Sequence, residues 1–93
     1  MIFDWDGSKE QSNRLKHGIS FVSAIRVFLD PNRVELDVTK PEYGERRFKA
    51  IGRVESQVIA VIYTDRADHR RIISARRAKR NERRQYDQSA PPS

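Results

Sequence analysis

Gln57-Val58-Ile59-Ala60-Val61-Ile62-Tyr63-Thr64 is an apolar run without polar alternation, and Val58, Ile59, Val61 and Ile62 are β-branched. A run of that kind predicts a central strand covered on both faces. Working outward, Glu45–Arg53, with Phe48 and Ala50 on one side, predicts the strand before it. Val34, Leu36 and Val38 alternate with Arg33, Glu35 and Asp37, which predicts an earlier strand with one wet face. Thr39–Gly44 is the loop between these two. On the other side Asp65–Asp68 turns the chain, and His69–Ala75 returns as a fourth strand carrying Ile72 and Ile73. Simple alternation would put Arg70, Ile72, Ser74 and Arg76 on one face, with Arg71, Ile73 and Ala75 on the other.

The helical signals lie at the two ends. Ser8 with Gln11 three residues on reads as a capping box for a helix over Lys9–His17, with Gly18 as a left-handed C-terminal cap. Ser20 caps a second helix whose Phe21, Ala24, Ile25 and Phe28 make one apolar stripe, stopped at Asp30-Pro31. Ala78–Asp87 is a last, highly basic helix, and Ile2-Phe3-Asp4 a very short possible first strand. Trp5 is expected to staple onto the first helix. The fold class predicted is α+β: two N-terminal helices packed on a four-stranded, mainly antiparallel sheet, with a basic C-terminal helix. Residues 1–88 make one domain and 89–93 a disordered tail.

Charge is unevenly placed. Up to and including Asp65 the chain holds ten basic and ten acidic residues; after it come nine basic and three acidic, so the net +6 sits in the last third. That asymmetry predicts a polyanionic partner. The chain has no cysteine, which excludes disulfides and thiolate chemistry and fits a reducing compartment, the cytoplasm by default. The acidic Met1–Asp6 does not resemble a signal peptide, and Val58–Tyr63 is too short to span a bilayer. Neither HExxH, paired Asp-x-Asp nor a phosphate-binding glycine loop is present, so no metal or cofactor is expected.

Arg76, at the junction of the last strand and helix, is expected to line a groove with Arg80, Arg83 and Arg84, where guanidinium forks would grip phosphate. The same basic face could instead serve an acidic protein partner or solubility alone. Histidine is the usual acid-base group near neutral pH, and His17 and His69 are the two the chain offers. His17 closes the first helix and can be a cap or an acid-base group; His69 lies by a turn, where an idle ring is the commoner outcome. Glu45, beside Arg46 and Arg47, fits a general base or an ion pair, the ion pair being the safer reading. Tyr86 can stack a base, donate to a phosphate or anchor its helix on the sheet, the anchor being favoured.

These residues together resemble the BrnT family of ribonuclease toxins. The likeness is carried by Phe3-x-Trp5-Asp6-x-x-Lys9-x-x-x-Asn13 with Lys16-His17-Gly18-Ile19-x-Phe21, continued by Ala24, Phe28 and Asp30. It continues through Gly44-Glu45-x-Arg47 and Gly52, then Arg71-Ile72-Ile73-Ser74-Ala75-Arg76-x-Ala78, Glu82 and Tyr86, and covers residues 2–87. The resemblance implies a fold like that of RelE-type and microbial ribonucleases and metal-independent RNA cleavage that inhibits translation. It also implies a BrnA-type ribbon-helix-helix antitoxin, through which operator DNA would be bound in autoregulation. Under that reading Arg76, Arg71 and Arg80 would neutralise the phosphorane, His17, Lys16 or Glu45 would move a proton, and Tyr86 would assist. Arg66, Arg70, Arg77, Lys79, Arg83 and Arg84 would bind RNA. The residues alone leave open a non-catalytic module that binds nucleic acid or an acidic partner.

Overall fold

The computed structural model describes residues 1–89. Its elements run β1 (Ile2–Trp5), α1 (Gly7–His17), α2 (Phe21–Ala24), a 3₁₀ segment (Ile25–Leu29), β2 (Val34–Asp37), a 3₁₀ turn (Pro41–Tyr43), β3 (Phe48–Val54), β4 (Gln57–Arg66), β5 (His69–Arg77) and α3 (Arg80–Ser89). The expected α+β class is correct, but the sheet is five-stranded and mixed, in the order β1-β5-β4-β3-β2, with β1 parallel to β5 and the other pairs antiparallel. Ile2–Trp5 becomes a full edge strand because Phe3 and Trp5 have apolar partners on its inner face. Phe3 stacks on Phe28 at 5.5 Å, and Trp5 meets Phe21 edge-on at 5.9 Å, so the Trp5 staple falls on α2 and not on α1. Of the expected tail, Ser89 is the last residue of α3, and residues 90–93 lie outside the described part.

The predicted central strand is central. Val58, Ile59, Ala60 and Val61 of β4 are all buried, with β3 and β5 paired on either side. One face of the sheet carries Ala50, Ile59, Val61, Tyr63, Ile72 and Ala75 against Phe21, Ala24 and Val27. The opposite face carries Ile51 and Val58 against Tyr86 of α3, flanked by Val34, Leu36 and Ala78. The second predicted helix tightens after one turn into the 3₁₀ segment, which crosses β3 at Gly52. A Cβ there would lie 2.8 Å from Val27 Cγ2 and 3.2 Å from the Arg33 Cβ, so only glycine permits this approach.

Capping follows the sequence with one change. Gly18 closes α1 at φ 73°, and the Ser20 hydroxyl accepts from the Ser23 N–H, as expected. The N-cap of α1, however, is Asp6 and not Ser8. Its carboxylate accepts from the Ser8 and Lys9 N–H groups and from the Ser8 hydroxyl. A carboxylate serves the helix N-terminus better than a hydroxyl because it also meets the macrodipole.

The strand β5 is not regular, and this overturns the expected alternation. Tyr63 pairs with Ile72 and Ile62 with Ser74, leaving Ile73 as an extra residue. Arg70, Ile72, Ala75 and Arg77 therefore share the face covered by α1 and α2, while Arg71, Ser74 and Arg76 share the face that carries α3. Beyond the bulge β5 has lost its β1 neighbour, which pairs only as far as Ile72. Buried Asn13 of α1 replaces it: the side-chain amide donates to the Ala75 carbonyl at 2.8 Å, and its Oδ1 accepts from the Ala75 N–H at 3.1 Å. One side chain thus supplies both hydrogen bonds that a neighbouring strand would give.

Candidate nucleic-acid interface

The junction from β5 into α3 is built on Glu82, which is 2% exposed. Arg76 grips it with two bonds, Nη1 to Oε1 at 2.6 Å and Nη2 to Oε2 at 2.9 Å. Lys49 Nζ donates to Oε2 at 2.8 Å, and the Lys79 N–H donates to Oε1 at 2.8 Å, the backbone half of a capping box. Burial pushes the Glu82 carboxyl up, but the bonds from Arg76, Lys49 and the Lys79 N–H outweigh it and hold the group at about 2. The sheet also fixes the helix one turn further on: Tyr86 is buried and donates to Asp30 Oδ2 at 2.6 Å. Tyr86 packs against Ile51 and Val58 of the sheet.

Three more of the predicted cations are also committed. Arg70 makes a bidentate pair with Asp65, at 2.7 and 3.1 Å, and lies over the rings of Tyr63 and Phe28 at 4.4 and 4.7 Å. Arg71 reaches Asp4 across the β1–β5 pair at 3.1 Å. Arg66 holds Glu45 at 3.0 Å, and Arg47 holds it at 3.2 Å. The Arg66 bond, against slight desolvation and helped by Arg47, keeps the Glu45 carboxyl below its usual range, so Glu45 is an ion-paired carboxylate. His69 sits 2.6 Å from Asp68 at the exposed β4–β5 turn.

The remaining five of the nine cations form no ion pair among the described residues. Arg77, Lys79, Arg80, Arg83 and Arg84 are all exposed, on the end of β5, the junction and α3. Arg80, Arg83 and Arg84 line a shallow groove of about 610 Å³ with Asp87 and Gln88. Arg77 and Arg83 meet again in a smaller one, with Ser56, Gln57, Val58 and Ala78. The expected groove therefore exists without Arg76, which turns inward because Glu82 holds it. His17 and Lys16 lie elsewhere, in a groove of about 350 Å³ between α1 and the bulge of β5, with Ser8, Lys9, Ser12, Asn13, Ile73 and Ser74.

The predicted residues thus fall into separate groups: the α3 cations, the Lys16–His17 groove, Glu45 with Arg66, and the Glu82-centred lock. Lys49 and Asn13 were not foreseen as positioning groups. For Lys49 a signal existed, since alternation against Phe48 and Ala50 turns it to the face where α3 lies. No group of three or more His, Cys, Asp or Glu side chains that could hold a metal ion occurs among the described residues. No described helix is long and apolar enough to cross a membrane.

Fold and charge define a small α+β domain whose last helix is locked to the sheet by one buried carboxylate and presents unpaired cations outward. The chain belongs to the BrnT family: the family model of BrnT, the ribonuclease toxin of type II toxin-antitoxin systems, matches residues 5–82. As the toxin of such a system it has an antitoxin for a partner. No curated protein matches the chain.

Proposed function

We propose that this chain is a metal-independent endoribonuclease, working in the cytoplasm as a single domain over residues 1–88, which cleaves RNA and thereby inhibits translation. Its restraint is a BrnA-type antitoxin with a ribbon-helix-helix domain, and the two together repress their own operon. Beside the family match, the observation that carries the reading is the row of unpaired cations, Arg77, Lys79, Arg80, Arg83 and Arg84, on one exposed junction and helix. Their charge suits a phosphodiester backbone.

In such cleavage the substrate's 2′-oxygen attacks the adjacent phosphorus while the bond from phosphorus to the 5′-oxygen breaks. The protein has to stabilise the charge on phosphorus, take the 2′ proton and return one to the leaving oxygen. Arg80 and its neighbours are free to meet phosphate. Arg71 keeps spare N–H donors beside its one bond to Asp4, whereas Arg76 serves mainly by holding α3 in place. For the protons His17 is favoured over Glu45, because Arg66 and Arg47 keep the Glu45 carboxylate ionised and weakly basic. Lys16 lies beside His17 in one groove with Ser74. Tyr86 supports the helix through Asp30 and does not touch substrate.

The test is incubation of the purified chain with single-stranded RNA in EDTA. Cleavage is expected, and His17→Ala is expected to slow it at least tenfold with an unchanged melting temperature. The commitment of Arg71 and Arg76 to carboxylates favours a second reading, a nucleic-acid-binding module without catalysis. Salt-sensitive binding with no cut product would establish that reading in place of the first.

A further inference from the structure

The groove between α1 and β5, which holds the proposed proton group His17, carries more positive charge than the proton transfer itself requires. Lys9, Ser12, Asn13, Lys16 and His17 recur at helical spacing on one face of α1, and all five line it together with Ile73 and Ser74. Asn13 ties this face to Ala75, so the position of the two lysines beside the strand is fixed by a buried pair of hydrogen bonds. Neither Lys9 nor Lys16 has an ion-pair partner among the described residues, and no carboxylate lines the groove. Asp6, three residues before Lys9, is committed to the N-cap. The acidic Glu10 points away, toward the Phe21 N–H and Arg14. A cavity with two uncompensated ammonium groups, an imidazole and three serine side chains suits an anion of phosphate type.

Its placement narrows the ligand. Ser74, in this groove, and Arg77, in the cationic surface leading to α3, lie on the same strand but on opposite faces, so a bound chain would pass from one to the other around the strand's edge. At about 3.3 Å per residue they are roughly 10 Å apart, a span of a few nucleotides of an extended strand. We propose that the groove between α1 and the bulged half of β5 is a second phosphate subsite, in which Lys9 and Lys16 hold the backbone of a single-stranded RNA whose neighbouring phosphates lie on Arg77 and α3. The subsite rests on the ribonuclease reading and adds to it a path for the substrate, around the edge of β5 beyond Ile72. The bulge serves that path, because it brings Ile73 and Ser74 into the groove beside α1, where β1 no longer pairs.

The experiment is a salt titration of binding to a short 2′-O-methyl oligoribonucleotide, which cannot be cut because its attacking hydroxyl is blocked. Lys9→Gln and Lys16→Gln are each expected to lower the log–log salt slope by about 0.7, the amount for one lost phosphate contact on a single strand, and the double variant by about 1.4. Lys40→Gln, on the remote loop before β3, is expected to leave the slope as it is. Both lysines are exposed, and unchanged melting temperatures separate lost contacts from lost fold. Slopes equal to wild type in the double variant, with RNA still cut by the wild-type chain, would overturn the subsite and leave the ribonuclease reading standing. An oligoribonucleotide that does not bind the wild-type chain would overturn both. A double variant that binds RNA normally but loses the antitoxin would reassign the groove to the protein partner.

Discussion

Arg70, Arg71 and Arg76 on β5 and Arg80, Arg83 and Arg84 on α3 are alike in type and close in sequence, yet the first three are each held by a carboxylate and the second three by none among the described residues. The difference comes from what the fold brings near. Asp4 arrives from the other end of the chain through the parallel β1–β5 pair, and Asp65 through the β4–β5 hairpin. Glu82 arrives through the first turn of α3. Once these acids are engaged, the strand arginines are structural, and the excess charge moves to the helix. A count of basic residues locates the cationic end of the molecule but does not say which of them the fold leaves unpaired.

The comparison breaks most sharply at Glu82. Replacing it by alanine strands Arg76 and Lys49 beside a buried space and removes the capping bond to Lys79, with an expected loss of about 3 kcal/mol in denaturant unfolding. If Glu82→Ala melts within 2–3 °C of wild type, corresponding to roughly 0.5 kcal/mol, the lock is not structural. Acid gives an independent view. The folded carboxyl sits at about 2 against an ordinary 4.5, so its contribution is complete above pH 4.5 and is lost as pH falls toward 2. Stability measured down this range should fall less steeply in Glu82→Gln, which cannot titrate, than in wild type.

A smaller effect is expected at Arg70. Its guanidinium combines a bidentate carboxylate pair with contact to two aromatic rings, and the side chain is 16% exposed. Arg70→Ala should cost about 2 kcal/mol, through lost packing as much as lost charge. Arg70→Lys should recover less than half, because an ammonium cannot reproduce the fork on Asp65. Full recovery by lysine would mean that the pair acts only as a point charge.

How far these distinctions were legible follows from their range. The β4 run, the Ser20 cap and the Gly18 cap are local, each decided by a few neighbouring residues, and each matched the sequence reading. The bulge at Ile73 was not legible, because two adjacent isoleucines satisfy regular alternation equally well. The register is set instead by the strand partners and by Asn13, 62 residues before Ala75. The 3₁₀ segment was hidden for a similar reason: its apolar stripe fits an α-helix, and the close crossing at Gly52 that flattens it onto β3 belongs to the packed state. Candidate residues could be named by type and charge, but their grouping depended on pairs such as Lys49 with Glu82, which lie on different elements.

The smallest expected effect on stability falls on α3, and for that reason it tests the comparison most directly. Arg80, Arg83 and Arg84 have no ion-pair partner among the described residues and are exposed, so changing all three to glutamine, also a good helix former, should alter unfolding free energy by no more than about 0.5 kcal/mol. Removing mutual repulsion along one groove makes slight stabilisation the favoured sign. RNA binding should nevertheless weaken, with the salt slope reduced by about 2, as three single-strand phosphate contacts would require. The strand arginines predict the reverse pattern, unfolding before any specific loss of affinity. A triple variant that is destabilised by as much as Arg70→Ala would erase the distinction between the two sets, because it would mean that the helix cations also hold the fold.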